Sequence, residues 1–476
     1  MCSLRYSLGR LLCFAILALG PSSLSLAASS ITVNIDNPSF RKLVIAVPPI
    51  AIEAGADSSI AKDLAERGHD ELAELLAFSG YFNVIAEAAY GNNVTKLVAK
   101  KRAEDGNSWL KAYTELSGDD AKTWKGLNVE ALTLGSVSKK GSDTVIVLKT
   151  FDPIERKEIV SKEFTGIASV RDVMRRYADF LLEAYTGKKG IFSSKLAFVG
   201  RRKKGDAKQI YISDFDGSNL QQITTGNNPH LSPAWSPDGR YIAYTSLESS
   251  STQIFVYDTI TKSKRQLTRR VGLNSGANWS PDGKYIAYTS GQGGDTDIFL
   301  IEANGSGRKL MIQGSGLDVD PKFAPDGQKI AFVSGRFGNP HIFVGKLSGN
   351  NPPRVVSDKR LTYAGWYNST PSWSPESDKI IFGGYDKDID RYDIFIMNPD
   401  GSKLERLTLK TGDNESPSWS PNGQLIVFQS NRIGESNRKG VPSLFMMNRD
   451  GSSQRKIDVP LYEVQTPAWS NARSFD

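Results

Sequence analysis

Two patterns of hydrophobic and polar positions divide the chain. In the first part, short apolar runs alternate with longer stretches whose apolar residues recur every three to four positions, as in strands and helices. From Lys195 onward, short apolar runs are separated by turn residues at nearly regular intervals, which is typical of an all-β repeat. The pattern therefore predicts an α/β domain over residues 41–187 and a repetitive β domain over residues 190–476.

The α/β domain is predicted to contain five strands and three helical stretches. The strands are expected at 43–47, 81–85, 131–138, 144–151 and 158–164. One helix, capped by Asp57 or Ser58, runs to Ser79, and another follows the cap Ser169 and ends at Gly187. A third, charged helical stretch is expected around 96–116. No G-x-G-x-x-G or Walker motif follows any strand, so nothing indicates a nucleotide site.

The first residues have the organisation of a secretory signal peptide. Arg5 and Arg10 precede an apolar run at 11–19, and small residues follow at Ser25 and Ala27. That run is shorter than the roughly 20 residues needed to cross a bilayer, and no later stretch is apolar enough. We therefore predict that residues 1–27 direct export and are cleaved after Ala27 or Ala28, leaving a chain without a membrane span.

Composition narrows the chemistry of the exported chain. Both cysteines, Cys2 and Cys13, lie in the predicted leader, so no disulfide, thiol nucleophile or cysteine-bound metal is expected. The net charge of +7 falls to +5 without the two leader arginines, and the basic runs are scattered without interleaved aromatics. The sequence does not indicate a nucleic-acid partner.

A short alternating segment follows the leader. Ile31, Val33 and Ile35 are separated by polar residues, which is strand patterning at a chain terminus. The segment 28–40 is either an edge strand of its own domain or a flexible strand offered to a partner's sheet by β-augmentation.

The repeat is marked by the sequence W-S-P-D-G and its variants. The aromatic anchors are Trp235, Trp279, Phe323, Trp373, Trp419 and Trp469, spaced 44, 44, 50, 46 and 50 residues apart. Periods of about 40–50 residues with strand content indicate the blades of a β-propeller. Pro-Asp-Gly is a tight turn, and each repeat has room for four strands.

Counting the repeats predicts six blades and their closure. The strand that follows the turn occurs six times, around residues 196, 242, 286, 330, 380 and 426. The first copy has no aromatic anchor before it, and the last anchor, Trp469, has no strand after it. The C-terminal segment around Trp469 is therefore expected to complete the blade that begins at Lys195 and to remove an open edge.

No catalytic or metal-binding motif is recognisable. His69, His230 and His341 have no second histidine at metal spacing and are expected on a helix or in blade loops. Asp386, Asp388 and Asp390 alternate as in a calcium loop, but Arg391 stands where an EF-hand needs glycine. A solvated blade loop is the favoured interpretation, and no cofactor is predicted.

Polar residues recur in the loops that lead into the inner strands, at one rim of the channel. They are Asn274, Ser275, Asp318, Asp320, Ser369, Thr370, Glu415 and Ser416. These residues either solvate and cap loops or form a polar ring that receives a segment of another protein.

A leader, a small α/β domain and P-x-W-S-P-D-G repeats (Pro233–Gly239 is one copy) together resemble the TolB family of the Tol–Pal system of Gram-negative bacteria. The segment Ile-x-Val-x-Ile-Asp at 31–36 resembles the family's N-terminus. The resemblance implies a periplasmic, non-catalytic adaptor that binds the lipoprotein Pal at the channel mouth and TolA through the N-terminal segment. It also implies roles in outer-membrane integrity, division and bacteriocin uptake.

Carried over by position, the Pal-binding residues would be the eight rim residues, and the TolA-binding residues would be Ile31, Val33 and Ile35. Leu273 departs from the histidine of the family pattern before the second Trp repeat. A different class of function is an exported propeller that binds or processes a small molecule or peptide. It would need convergent polar or titratable groups deep in the channel.

Overall fold

A mixed sheet forms the base of the N-terminal domain. Its strands are β1 (Leu43–Ala46), β2 (Ala51–Ile52), β3 (Phe82–Val84), β4 (Ala131–Lys140), β5 (Asp143–Asp152) and β6 (Lys157–Phe164). Their order is β3-β1-β4-β5-β6, with β2 also paired to β4. Strand β1 runs parallel to both neighbours, whereas β4, β5 and β6 form an antiparallel meander. The five predicted strands are confirmed, with boundaries shifted by one or two residues.

Two helices cover this sheet, α1 (Ser59–Ser79) and α2 (Val170–Thr186), and a short 3₁₀ turn spans Glu87–Ala89. The hydroxyl of Ser58 accepts from the backbone N–H of Ala61, and Gly80 ends α1 with φ +83°. Ser169 and Gly187 play the same roles for α2. Both predicted caps and stops are confirmed. No helix among the described residues is both long and apolar enough to span a membrane.

The computed structural model describes residues 41–471 except 54–55, 57, 90–123, 156, 168, 248–250, 293–294, 350, 410 and 434–435. The predicted leader, the segment 28–40 and the predicted charged helix at 96–116 lie outside the described residues.

Six four-stranded antiparallel sheets follow, and we number these blades in chain order. The first has β10 (His230–Trp235), β11 (Tyr241–Ser246), β12 (Gln253–Asp258) and β13 (Lys264–Gln266); the second has β14 (Leu273–Trp279), β15 (Tyr285–Gln292), β16 (Asp295–Glu302) and β17 (Lys309–Ile312); the third has β18 (Asp318–Phe323), β19 (Lys329–Ser334), β20 (His341–Ser348) and β21 (Arg354–Arg360).

The fourth blade has β22 (Tyr367–Trp373), β23 (Ile380–Asp386), β24 (Arg391–Met397) and β25 (Glu405–Arg406); the fifth has β26 (Asn414–Trp419), β27 (Leu425–Ile433), β28 (Ser436–Asn448) and β29 (Arg455–Lys456); the sixth has β30 (Glu463–Trp469), β7 (Lys195–Arg201), β8 (Gln209–Asp214) and β9 (Gln221–Gln222). The first strand of each blade is the inner strand. The predicted six-bladed propeller is confirmed.

The ring is closed by the last strand of the chain. Strand β30 pairs antiparallel with β7, with Trp469 opposite Leu196 and Ala468 opposite Ala197. The backbone N–H of Ser470 donates to the carbonyl of Lys195 at 2.9 Å. The out-of-phase repeat therefore closes as predicted, because the two chain ends of the propeller share one sheet.

The residues of the repeat motif serve the fold. In the second blade, the Ser280 hydroxyl donates to Asp282 at 2.6 Å and accepts from the backbone N–H of Tyr285 at 2.9 Å, which fixes the turn. The indole N–H of Trp279 donates across to the carbonyl of Ala234 in the first blade at 3.3 Å. The motif thus closes a turn and joins adjacent blades.

The N-terminal domain is fixed to the sixth blade by buried charges. Asp214 on β8 is fully buried and lies 2.6 Å from the Arg175 guanidinium of α2 and 2.7 Å from the Lys195 ammonium. Phe78 of α1 makes an edge-to-face contact with Phe215, at 5.4 Å between centroids. A buried carboxylate with two cations needs both to offset its desolvation, so this contact specifies one arrangement of the two domains.

Candidate functional site

The central channel is shaped by a bulge in each inner strand. In all six, the pairing register with the next strand shifts at the same place, where one residue adopts a left-handed backbone. These residues are Ser232, Gly276, Asp320, Thr370, Ser416 and Thr466, with φ between +45° and +63°. Bulges bend a strand and re-aim its side chains, and all six residues line the channel cavity.

This cavity has a volume of about 1070 Å³. Its wall continues from the six bulges to the Trp-Ser-Pro residues of the turns, and it is completed by side chains of the N-terminal domain, among them Phe164 and Phe180. The N-terminal domain therefore stands at the mouth where the inner strands end, and the opposite mouth is where they begin.

On the inner strands that line the channel, charged side chains are concentrated in the third blade. Among the described inner-strand residues that line the cavity, the charged ones are Asp320 and Lys322. Burial raises the pKa of Asp320 and lowers the pKa of Lys322, while each partly offsets the other's shift. The backbone N–H of Thr370 also donates to the Asp320 carboxylate. The pair offers a carboxyl and an amino group to whatever enters the channel.

The eight predicted rim residues fall into two groups. Asp320, Thr370 and Ser416 are bulge residues, and Ser275, Ser369 and Glu415 directly precede a bulge; all six are half-buried. The structure therefore brings these six together around the mouth at which the inner strands begin.

The other two predicted rim residues, Asn274 and Asp318, are buried inside their blades. The Asn274 amide donates to the carbonyls of Thr252 and Arg270 and accepts from the Ser290 hydroxyl. Asp318 is 1% exposed and pairs with Arg336. The expectation that they lie in open rim loops is wrong, because they occupy the start of the strand and satisfy buried donors there.

Two histidines were also expected in loops and are not there. His230 and His341 are buried first residues of β10 and β20. Burial lowers the pKa of His341 to about 4, and its Nδ1 lies 3.1 Å from the Thr362 hydroxyl. The position of His341 in the repeat could have indicated that it lies in a strand. His341 begins the third strand of the third blade, as Gln253 begins the third strand of the first blade.

No group of three or more His, Cys, Asp or Glu side chains within the described ranges is arranged to hold a metal ion. In the alternating aspartates, Asp386 pairs with Arg406, and the Tyr385 hydroxyl donates to Asp390 at 2.7 Å. Sequence reasoning missed Ser232, Lys322 and Thr466 as channel residues. Ser232 and Thr466 lie three residues before their anchors, as Asp320 and Thr370 do, and this shared position could have identified them. Lys322 directly precedes the anchor Phe323, a position at which the other repeats carry Ala, Asn or Ser.

Comparison with known proteins agrees with this architecture. The family profile described as "TolB beta propeller domain" matches residues 182–473. The crystal structure of TolB from Acinetobacter baumannii superposes with a TM-score of 0.72 at 26% sequence identity, covering 90% of this chain and 97% of that one.

Curated relatives carry the name Tol-Pal system protein TolB. The protein from Desulfosudis oleivorans is 34% identical over 216 residues, which are 45% of each chain, and the one from Syntrophus aciditrophicus is 30% identical over 251 residues, which are 52% of each chain. The chain spans about half the length of these curated relatives. Since the family profile covers more than half of the sequence and the fold agrees, the chain belongs to the TolB family of β-propeller proteins.

Proposed function

We propose that this chain is a non-catalytic, periplasmic protein-binding adaptor of the Tol–Pal system. It binds the Pal lipoprotein at the channel mouth where the inner strands begin, and TolA through the segment 28–40. In this role it supports outer-membrane integrity and envelope constriction during division, and its partners include bacteriocins that enter through the system.

The observation that carries the proposal is the ring of half-buried polar side chains at that mouth. Ser275, Ser369 and Glu415 stand beside bulges whose backbone is set by left-handed residues. Polar groups on a rigid support can accept a partner's hydrogen bonds without an added ordering cost. The mouth where the inner strands end is lined by the N-terminal domain. The mouth where the inner strands begin is therefore the one left for a large partner.

A charge reversal at the mouth tests the Pal assignment. We expect Glu415→Lys, combined with Ser369→Arg, to weaken binding of the soluble domain of Pal from the same organism at least tenfold, because bulk and opposite charge enter the contact. Isothermal titration calorimetry on the chain without residues 1–27 measures the affinity.

Glu155→Lys combined with Ser142→Arg is the matched control, since both residues are exposed on the N-terminal domain and the total charge change is the same. The control should bind as the parent chain does. An unchanged Pal affinity in the doubly substituted mouth variant would remove this surface from the proposal.

Deletion of residues 28–37 tests the TolA assignment. We expect the deletion to abolish capture of TolA in a pull-down and to leave Pal affinity unchanged, because Ile31, Val33 and Ile35 supply the strand that pairs with TolA. Full TolA capture by the deleted chain would refute the role of this segment.

A further inference from the structure

In the third and fifth blades an arginine side chain fills the same space beside a pair of phenylalanines in contact. The Arg336 guanidinium lies 5.0 Å from the Phe343 centroid, donates to Ser334 at 2.9 Å and pairs with Asp318. In the fifth blade, Arg432 lies 4.5 Å from the Phe445 centroid and donates to Ser430 at 2.9 Å.

The second amino group of Arg432 donates to the Asn414 side-chain oxygen at 2.7 Å. Asn414 and Asp318 both begin an inner strand. Each arginine therefore joins an aromatic face, a serine and an acceptor on the inner strand, and two blades show independently what this space accommodates.

The fourth blade keeps the surroundings of this arginine but has no arginine at the corresponding position of its second strand. Phe382 pairs with Phe395, as Phe332 pairs with Phe343 in the third blade. In the third blade, Ser334 and Arg336 lie two and four residues after Phe332. At the same distances after Phe382, the fourth blade has Gly384 and Asp386. A cavity of about 450 Å³ lies there, and Asn368, Gly384, Asp386 and Phe395 line it.

The cavity presents acceptors and an aromatic wall. Asn368 is 3% exposed, its amide nitrogen donates to the carbonyl of Ala364, and no donor among the described residues reaches its side-chain oxygen. Asp386 accepts from Arg406 and from the backbone N–H of Asp388. A carboxylate has about four acceptor sites, so the Asp386 carboxylate can accept further donors.

The mouth of the cavity is aromatic and open. Trp366 lines it and is 51% exposed, with the Lys387 ammonium 4.9 Å from the ring centroid. Arg406 comes from the outer strand, lies 5.0 Å from the Phe395 centroid, pairs with Asp386 and also lines the cavity. Exposed indole rings attract cations, guanidinium groups above all.

We infer that this cavity in the fourth blade binds the guanidinium group of an arginine presented by a protein partner. The planar donor fork can pack against the aromatic wall of the cavity beside Arg406 and donate to Asn368 and Asp386, as Arg432 donates to Asn414. A lysine ammonium is compact and cannot both stack and bridge two acceptors. The inference depends on the proposed function only in assigning the guanidinium to a protein.

A free arginine derivative tests the inference without any protein partner. The chain without residues 1–27, labelled with ¹⁵N-tryptophan, is titrated with N-acetyl-arginine methylamide, and the indole signal of Trp366 is followed after assignment with Trp366→Phe. We expect this signal to shift and saturate. N-acetyl-citrulline methylamide, the neutral analogue of the same shape, should bind at least tenfold more weakly.

Two variants copy the sister blades and should fill the cavity. Asp386→Arg supplies the arginine found in the third and fifth blades, and Gly384→Ser supplies the serine. Both are expected to lower the thermal midpoint, because Asp386→Arg loses the ion pair with Arg406 and a Cβ at Gly384 would lie 2.9 Å from the Phe395 ring. At a temperature below both midpoints, each is expected to weaken binding of the arginine derivative at least tenfold. Asp450→Arg adds the same charge at an exposed turn of the fifth blade and should leave binding unchanged.

Parental affinity in Asp386→Arg, equal binding of the citrulline derivative, or no shift of the Trp366 signal would each overturn the inference. None of these outcomes bears on the Pal and TolA experiments, which use other residues and other probes, so the two proposals fail separately.

Discussion

Replacing one indole by a phenyl ring in two neighbouring blades measures how strongly the Trp anchors join the ring. Trp373 and Trp419 hold the same position in adjacent inner strands and are 6% and 5% exposed. The Trp373 indole N–H donates to the carbonyl of Lys322 at 3.0 Å, whereas the buried Trp419 indole N–H has no hydrogen-bond partner among the described residues.

The two substitutions to phenylalanine remove the same atoms, so their difference isolates the hydrogen bond. A net hydrogen bond contributes about 0.5–1.5 kcal/mol, and a buried donor without a partner costs about 1–3 kcal/mol. Trp373→Phe loses a net hydrogen bond, whereas Trp419→Phe removes a buried donor that lacks a partner among the described residues. We expect Trp373→Phe to be the more destabilising by about 1.5–4.5 kcal/mol, the sum of the two contributions. Phe323 shows that a phenyl ring is accepted at this position.

Urea unfolding of the chain without residues 1–27 gives the two free energies of unfolding, and an unchanged slope with urea would show that both variants expose the same surface. Trp235→Phe is a second member of the donating class, because its indole N–H donates to the carbonyl of Ala468 at 3.1 Å. If Trp419→Phe were as destabilising as Trp373→Phe, the cross-blade hydrogen bonds would not contribute as argued.

Three further outcomes follow from closure and from buried titratable groups. Removal of residues 463–476 deletes β30 and leaves β7 as an open edge. Thermal unfolding followed by circular dichroism should then lose its cooperative transition. A retained transition would contradict closure by this strand. Burial lowers the pKa of His341 to about 4, so the unfolded chain binds more protons between pH 6.5 and 4 and the free energy of unfolding falls as the pH drops through that window. His341→Gln, which copies Gln209 and Gln253, should remove this fall when urea unfolding is measured at several pH values. A fall of equal size in the variant would refute the assignment. Burial raises the pKa of Asp179 to about 6, so the folded chain binds more protons and the free energy of unfolding falls as the pH rises from about 4 to 6. Asp179→Asn should flatten the dependence of this free energy on pH. An unchanged dependence would exclude this carboxyl as its source.

Periodicity predicted the elements and the ring because both depend on local chemistry. Ser58, Gly80, Ser169 and Gly187 mark helix ends through hydrogen bonds and backbone angles that involve only nearby residues. The six copies of the Trp and turn motif set the number of blades. The first second-strand lacks an anchor before it and the last anchor lacks a strand after it, which predicted that these two segments pair. Without that pairing, the strand at Lys195 would be an exposed edge.

The rim residues show where sequence reasoning stops. Asn274 and Ser275 are neighbours with similar polarity, yet Asn274 is buried and Ser275 is half-buried. Alternation along a strand separates the two, but which face turns inward depends on the bulge at Gly276 and on pairing with β15. The polar character of the rim was therefore predictable, and the subset that can meet a partner was not.

The sequence by itself determined the repeat, the number of blades, the helix caps and the family, because each is written in short segments whose chemistry acts locally. Only the tertiary structure decided which polar residues face the channel and that Asp320 and Lys322 are the charged ones among the described inner-strand residues of its wall. It also decided that the fourth blade keeps a cavity where two other blades place an arginine. Those features arise between strands and between blades, where residues distant in sequence determine each other's burial, charge and hydrogen bonding.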